Sequence, residues 1–298
     1  MDNNRRNIIV IKIGNSGSVL LIVMMIITVV LSIALSRNEK LLTYYNELTS
    51  LQDTQQGYIY CISALKGITI LLERDTNRYI SDKDTFAMAQ VIPTEHGNIS
   101  ITVIPLDSKI SILGLLSNNK DIAERTKGAI VNLIPDINDI YLIDLAKKEE
   151  FFSLEALQYS GIKNEKRKEI GFLTVENTGG RININFVEKK VLKAYLPEIE
   201  SAADEIINYR KEKPFKDISQ IRNVPGITDS GYLAIQPYIT VESSIFYVYV
   251  EALVKDSKTS ISAIIKKDKS GKVEIIKYFE KPNELYMYNA KAEKSIIK

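Results

Sequence analysis

Tryptophan is absent from this 298-residue chain, and cysteine and histidine occur once each, as Cys61 and His96. A single cysteine excludes an intrachain disulfide framework, so packing has to hold the fold. One histidine, one cysteine set in an apolar stripe and no serine in a strand-turn-helix setting leave no nucleophile–base pair to assemble. The sequence therefore gives no reason to expect an enzyme. A surplus of charge is missing too: 39 basic against 37 acidic residues leave +2. Nucleic-acid binding as a main task needs a concentrated basic field, which that balance does not supply. His96, beside Gly97 ahead of an alternating stretch, reads as a surface-loop residue. Cys61 reads as a small core residue.

Charge is missing altogether from residues 18–35, SVLLIVMMIITVVLSIAL. As a helix this run is about 27 Å long, near the thickness of a bilayer's hydrocarbon core. The short segment before it carries Arg5, Arg6 and Lys12 against Asp2 alone, which places the N-terminus in the cytoplasm and the chain after Arg37 outside it. No small-x-small site follows the run, so removal behind it is not expected. Asn15-Ser16-Gly17 ahead of Ser18 offers a site on the other side. It resembles the class III signal of prepilin-like proteins, in which a membrane aspartic peptidase cuts after glycine and the apolar helix is retained. A plain single-pass anchor is the other reading of the same residues.

Beyond the membrane run, Leu41, Leu42, Tyr45, Leu48, Leu51, Tyr58, Ile62, Leu65, Thr69 and Leu72 recur every three or four residues. One long spine helix ending near Arg74-Asp75 is predicted, with a bend at the Gln52–Gln56 polar gap or at Gly57 and Gly67. Residues 76–90 read as a loop. Ile99, Ile101 and Val103 alternate with Ser100 and Thr102 as a strand that stops at Pro105. A helix follows, with Ile122, Thr126, Ala129, Ile130 and Leu133 on one face.

Between Phe151 and Tyr238 one idea occurs twice: residues 152–162 and 215–227 each pair a cap (Ser153, Asp217) with a short helix and a Gly turn. Asp217 and Gln220 have capping-box spacing. Pro225, Gly226 and Ile227 form the hairpin turn, where glycine suits a left-handed backbone. Between the copies come a Gly179-Gly180 turn, the segment RININ, the helix VEKKVLKAYL and a longer helix from Ile199 through Ile206 and Tyr209 to Pro214. After Pro237 the period becomes two. Phe246, Val248, Val250, Ala252 and Val254 face one way, with Ile245, Tyr247, Tyr249 and Glu251 opposite, and two further strands complete a meander. The tail from Lys281 on is expected to fray.

A single strand near residue 100 cannot stand alone, so it joins the meander and makes the helical block an insertion. The fold class is α+β: a long transmembrane and amphipathic spine helix, a small antiparallel sheet domain, and a large helical insertion with two SAM-like or helix-hairpin-helix-like repeats. The bounds are 1–17 for a leader, 18–75 for the spine, 76–110 with 240–298 for the sheet domain, and 111–239 for the insertion.

This layout resembles the K-type minor pseudopilins, the type II secretion system protein K family, over essentially the whole chain after the leader. The most specific stretch begins at ININFVEKKVLKAYL. The family's INxNTA segment falls at Ile182, Asn183 and Asn185, its helix-ending arginine at Arg210, and its PF-S turn at Pro214 and Phe215. Phe186-Val187 stand where the family has TA, and Val131-Asn132-Leu133 lie where an Asp-Trp pair is usual. The resemblance implies a subunit of the pseudopilus tip in the inner membrane, cut between Gly17 and Ser18 and N-methylated on Ser18. It also implies the I- and J-type minor pseudopilins, the major pseudopilin, the inner-membrane assembly platform and the prepilin peptidase as partners. The family's usual glutamate, fifth after the cut, is Ile22 here, as is the rule for the K type.

Family members can carry calcium, and Asp136, Asn138 and Asp139 suggest a site, though without the Gly and spaced Glu of an EF-hand loop. A solvated loop is the plainer reading of those three. Two other functions share parts of this sequence. A minor type IV pilin has the same leader logic, and a membrane-anchored DNA receptor would use the hairpin turn with Arg222, whose neighbour Asp229 weakens that case.

Overall fold

The computed structural model describes residues 15–77, 79–84, 86–87, 90–135, 137, 143–144, 146–147 and 164–280. The leader cations, the first hairpin-like copy at 152–162, the three candidate calcium residues and the tail beyond 280 lie outside them. The chain divides into two compact units, 1–53 and 54–298.

The first helix, α1 (Asn15–Arg74), is one uninterrupted element of 60 residues. It runs unbroken through Gly57 and Gly67. In the first unit the large apolar residues from Val19 to Leu35, and Leu41, Leu42, Tyr45, Leu48 and Leu51 after them, are exposed.

In the second unit α1 lies on a five-stranded antiparallel sheet. The strands of this sheet are β1 (Gln90–Thr94), β2 (Gly97–Pro105), β7 (Ile245–Val254), β8 (Ser257–Lys267) and β9 (Val273–Phe279), adjacent in that order. The strand expected near residue 100 is β2, and it pairs with β7, Ile101 opposite Val250. β1 lies between the loop read at 76–90 and the strand read around residue 100, a stretch to which the sequence reading assigned no element.

The buried stripe of α1 is Gly57, Cys61, Leu65, Ile68 and Leu72, a slightly rotated version of the expected one. Tyr58, Ile62 and Thr69 sit at its margin or outside. At Gly57 the helix comes close to the sheet: a Cβ there would stand 2.8 Å from Thr259 Oγ1 and 3.0 Å from its Cβ. Cys61 lies with its Sγ 3.6 Å from the carbonyl of Thr259, and burial pushes its thiol up to about 11. It is a core residue.

β7 is covered on both faces, which is why it reads as a nearly continuous apolar run. Phe246, Val248, Val250 and Ala252 pack with the α1 stripe. Ile245, Tyr247 and Tyr249 pack with the helical insertion. The insertion contains β3 (Ile110–Ser111), α2 (Lys120–Leu133), β4 (Leu173–Thr174), β5 (Ile182–Asn183), α3 (Lys189–Tyr195), α4 (Ala203–Glu212), α5 (Asp229–Ile235) and β6 (Ile239–Thr240). α2 buries Thr126, Ala129, Ile130 and Leu133, as the spacing predicts. The helix expected from Ile199 to Pro214 is two elements instead. A 3-10 segment, Pro197–Ala202, leaves helical geometry at Ile199 (φ −125°), and α4 starts only at Ala203.

Two short parallel pairings tie the insertion together. Ile110 pairs with Leu173, and Ile182 with Ile239. At its base Asp107, just after β2, accepts from the Ser244 backbone N–H at 3.1 Å, next to the start of β7.

Candidate functional site

The motif residues of the insertion converge on one buried polar knot. Asn185 donates through Nδ2 to the Ile80 carbonyl at 3.0 Å and to the Phe215 carbonyl at 2.8 Å, and its Oδ1 accepts from the Phe215 N–H at 2.8 Å. Asn183 Oδ1 accepts from the Asn185 N–H at 2.9 Å, while its Nδ2 donates to Ser243 Oγ at 2.9 Å. Arg210, at the end of α4, donates to the carbonyls of Ile184 and Val187 at 2.9 and 2.7 Å. Phe215 is fully buried and stacks on Tyr209, ring centres 5.0 Å apart, with Pro214 half-buried before it. Ile182 is buried in the same core.

An asparagine suits this position because it offers two donors and an acceptor without charge. The knot therefore joins three distant stretches of chain, around Ile80, Phe215 and Ser243. It holds structure and leaves no polar group free for chemistry at Asn185.

The hairpin turn lies at the surface beyond this knot. Gly226 takes φ +86° between a 3-10 turn, Ile218–Asn223, and α5. Pro225 is exposed, Ile227 half-buried, and the Ile227 N–H returns to the Val224 carbonyl at 3.2 Å. Asp217 caps the first element by accepting from Ser219 N at 2.8 Å, and Thr228 caps the second by accepting from Gly231 N at 3.0 Å. The capping box is not closed reciprocally: Gln220 Oε1 accepts from the Lys216 N–H rather than that of Asp217. Arg222, the cation beside the turn, lies over the Tyr232 ring at 4.1 Å with its Nε 3.8 Å from Asp229 Oδ1.

Sequence reasoning missed Arg125. Its guanidinium bridges both Glu198 oxygens (2.5 and 3.0 Å), donates to the Tyr195 carbonyl at 2.7 Å and covers the Tyr238 ring at 3.9 Å. The pairing holds the Glu198 carboxyl below its ordinary range. An open groove of about 340 Å³ runs past these groups and Asp121 and Glu124. Only its place on the amphipathic helix α2 marks Arg125 in the sequence. Asp107 and Lys109 were missed as well. Burial lifts the Asp107 carboxyl to about 6 and lowers the Lys109 amine to about 8, where it donates to the Gly171 carbonyl.

Gly17 and Ser18 lie in the first turn of α1, and Ile22 is on its exposed apolar surface. The hydroxyls of Thr28 and Ser32 return to carbonyls one turn back, at 2.8–3.0 Å, as an apolar surrounding demands. By length and composition α1 is able to cross a membrane. His96 is exposed in the β1–β2 turn. Among the described residues no three His, Cys, Asp or Glu side chains are grouped to hold a metal ion, and Asp136, Asn138 and Asp139 are not among them.

Two comparisons bear on these features. The helix-hairpin-helix family model matches residues 177–240, the stretch from the Gly turn to β6. Sequence comparison with curated proteins gives no match. Among solved structures, a chain of the GspK-GspI-GspJ complex from the type 2 secretion system of enterotoxigenic Escherichia coli is similar in fold, with a TM-score of 0.59. The likeness covers 80% of this chain and 100% of that one at 13% identity. The mixed α+β fold is thus the one seen in a chain of that complex, and it agrees with the fold class read from the sequence.

Proposed function

We propose that this chain is a K-type minor pseudopilin of a type II secretion system, a non-enzymatic subunit that helps start pseudopilus assembly and sits at its tip. The observation that carries the reading is the fold likeness over 80% of the chain, with α1 exposing a charge-free apolar run. In this reading the prepilin peptidase cuts between Gly17 and Ser18, Ser18 is N-methylated, and α1 stays in the inner membrane with the rest of the chain in the periplasm.

Ile22 gives the placement a physical reason. In ordinary subunits a glutamate at this depth pairs with the terminal amine of a neighbour, and an unpaired charge in lipid is costly. A chain with Ile22 offers no carboxylate to a subunit above it. The I- and J-type minor pseudopilins are then its direct partners, with the major pseudopilin and the assembly platform beyond. Calcium at Asp136, Asn138 and Asp139 belongs to the reading as an addition, and a calorimetric titration of the protein without heat of binding removes it.

The test is co-purification of the full-length chain with the I- and J-type proteins of the same cell, together with secretion after its deletion. Capture of both and loss of export are expected. Loss of a surface pilus with normal export would point to a minor type IV pilin instead.

The helix-hairpin-helix match favours one second reading, a DNA receptor. The pairing of Arg222 with Asp229 and Tyr232 occupies the cation nearest the turn. A gel shift with duplex DNA that weakens steeply as salt rises would support that reading; no shift at low salt is expected.

A further inference from the structure

The groove beside Arg125 runs along one face of α2. Asp121, Glu124, Gly128 and Asn132 recur at steps of three and four residues, so they share that face, and all four are exposed. The other wall is made by Ala194, Pro197 and Glu198, with Tyr238 beside them. Between the walls the lining is small. Gly128 has no side chain, and a Cβ there would meet nothing within 4 Å.

Three carboxylates and one guanidinium line this groove. The guanidinium is already committed, because Arg125 is held by Glu198, the Tyr195 carbonyl and the Tyr238 ring. Asp121 and Glu124 stand three residues apart on α2, where side chains are neighbours at about 5–6 Å and like charges repel. Among the described residues neither takes part in an ion pair. The groove is therefore short of positive charge at its Asp121–Glu124 end.

We propose that this groove receives a lysine or arginine side chain presented by a protein partner. A long aliphatic stem with a cation at its tip matches the lining: carbon surface at Gly128, Ala194 and Pro197, carboxylates at Asp121 and Glu124. A bare metal ion does not match it, since among the described residues no three Asp, Glu, His or Cys side chains are grouped to hold one. At about 340 Å³ the groove lies at the low end of the roughly 300–1,000 Å³ of ligand pockets, which suits one or two side chains rather than a whole small molecule. Docking of this kind does not depend on where the chain sits in a fibre.

Alanine-methyl spectra of the full-length protein in detergent read this out, since Ala129 and Ala194 both line the groove. The probes are a capped Gly-Lys-Gly peptide, its arginine and glutamine counterparts, and calcium chloride alone. Both methyls are expected to shift with the lysine or the arginine peptide but not with the glutamine one, and to return as salt rises. Asp121→Asn and Glu124→Gln should each weaken binding about two- to fivefold, the worth of one exposed ion pair. Gly128→Leu should fill the groove and abolish binding while alanine methyls elsewhere stay in place; if that variant does not fold, the two exposed carboxylate variants decide. Equal shifts with the glutamine peptide, or no shift with any peptide, overturn the proposal. So do binding that survives Gly128→Leu, and shifts of the same two methyls with calcium chloride alone, which would assign the groove to an ion.

Discussion

Asn185 and Phe215, thirty residues apart, bond each other twice, side-chain amide to backbone N–H and carbonyl, both at 2.8 Å. The pair fixes the loop before the hairpin to the strand β5. Asn185→Ala leaves the Phe215 N–H and the carbonyls of Phe215 and Ile80 buried without partners, at about 1–3 kcal/mol each. A loss of about 3 kcal/mol or more is expected in urea unfolding followed by tyrosine fluorescence. Asn185→Asp keeps the acceptor but turns an anion onto two carbonyls, so it should be no better at neutral pH and should recover in part in acid.

Two glycines on α1 predict opposite outcomes for the same change. At Gly57 a methyl meets Thr259 at 2.8 Å, and overpacking of this kind costs about 1–3 kcal/mol. At Gly67 nothing lies within 4 Å, so alanine gains helix propensity, about 1 kcal/mol. Gly57→Ala should lower the melting temperature and Gly67→Ala raise it.

Asp107 sets a pH dependence. Its carboxyl is lifted from 3.8 to about 6 by burial, so the folded state holds the proton more tightly than the unfolded chain. Stability from this group is complete below pH 4 and is lost as pH rises through about 6. Two pH units of displacement correspond to about 3 kcal/mol above pH 7. Asp107→Asn keeps an acceptor for the Ser244 N–H and removes the charge. The variant should gain on the parent as pH rises from about 4 to about 6 and hold that gain above it, as seen in paired denaturation curves.

What the sequence made legible follows from how local each signal is. The end of α1 at Arg74, the α2 face and the alternation of β7 are period signals carried by adjacent residues, and they stand in the structure. The phase of the α1 stripe was harder, because Gly57 and Cys61 at its centre are not strongly apolar. β1 was missed because Pro93 interrupts a run of only five residues. The break at Ala202 depends on the backbone of Ile199, which no period announces. The Asn183 and Asn185 knot could be named as a motif, but its partners Ser243 and Ile80 lie 60 and 105 residues away.

Processing and placement give the last pair. Gly17→Ala should leave an unprocessed precursor visible as a shift in mobility. Ile22→Glu puts a carboxylate on the exposed apolar surface of α1 and should disturb tip placement and lower export. Wild-type export and tip occupancy would contradict the charge argument.

The most direct measurement is the N-terminal sequence and mass of the protein extracted from membranes. The account predicts a mature chain that starts at Ser18 with a methylated amine and keeps the whole apolar run. A chain that starts at Met1, or beyond Leu35, contradicts it.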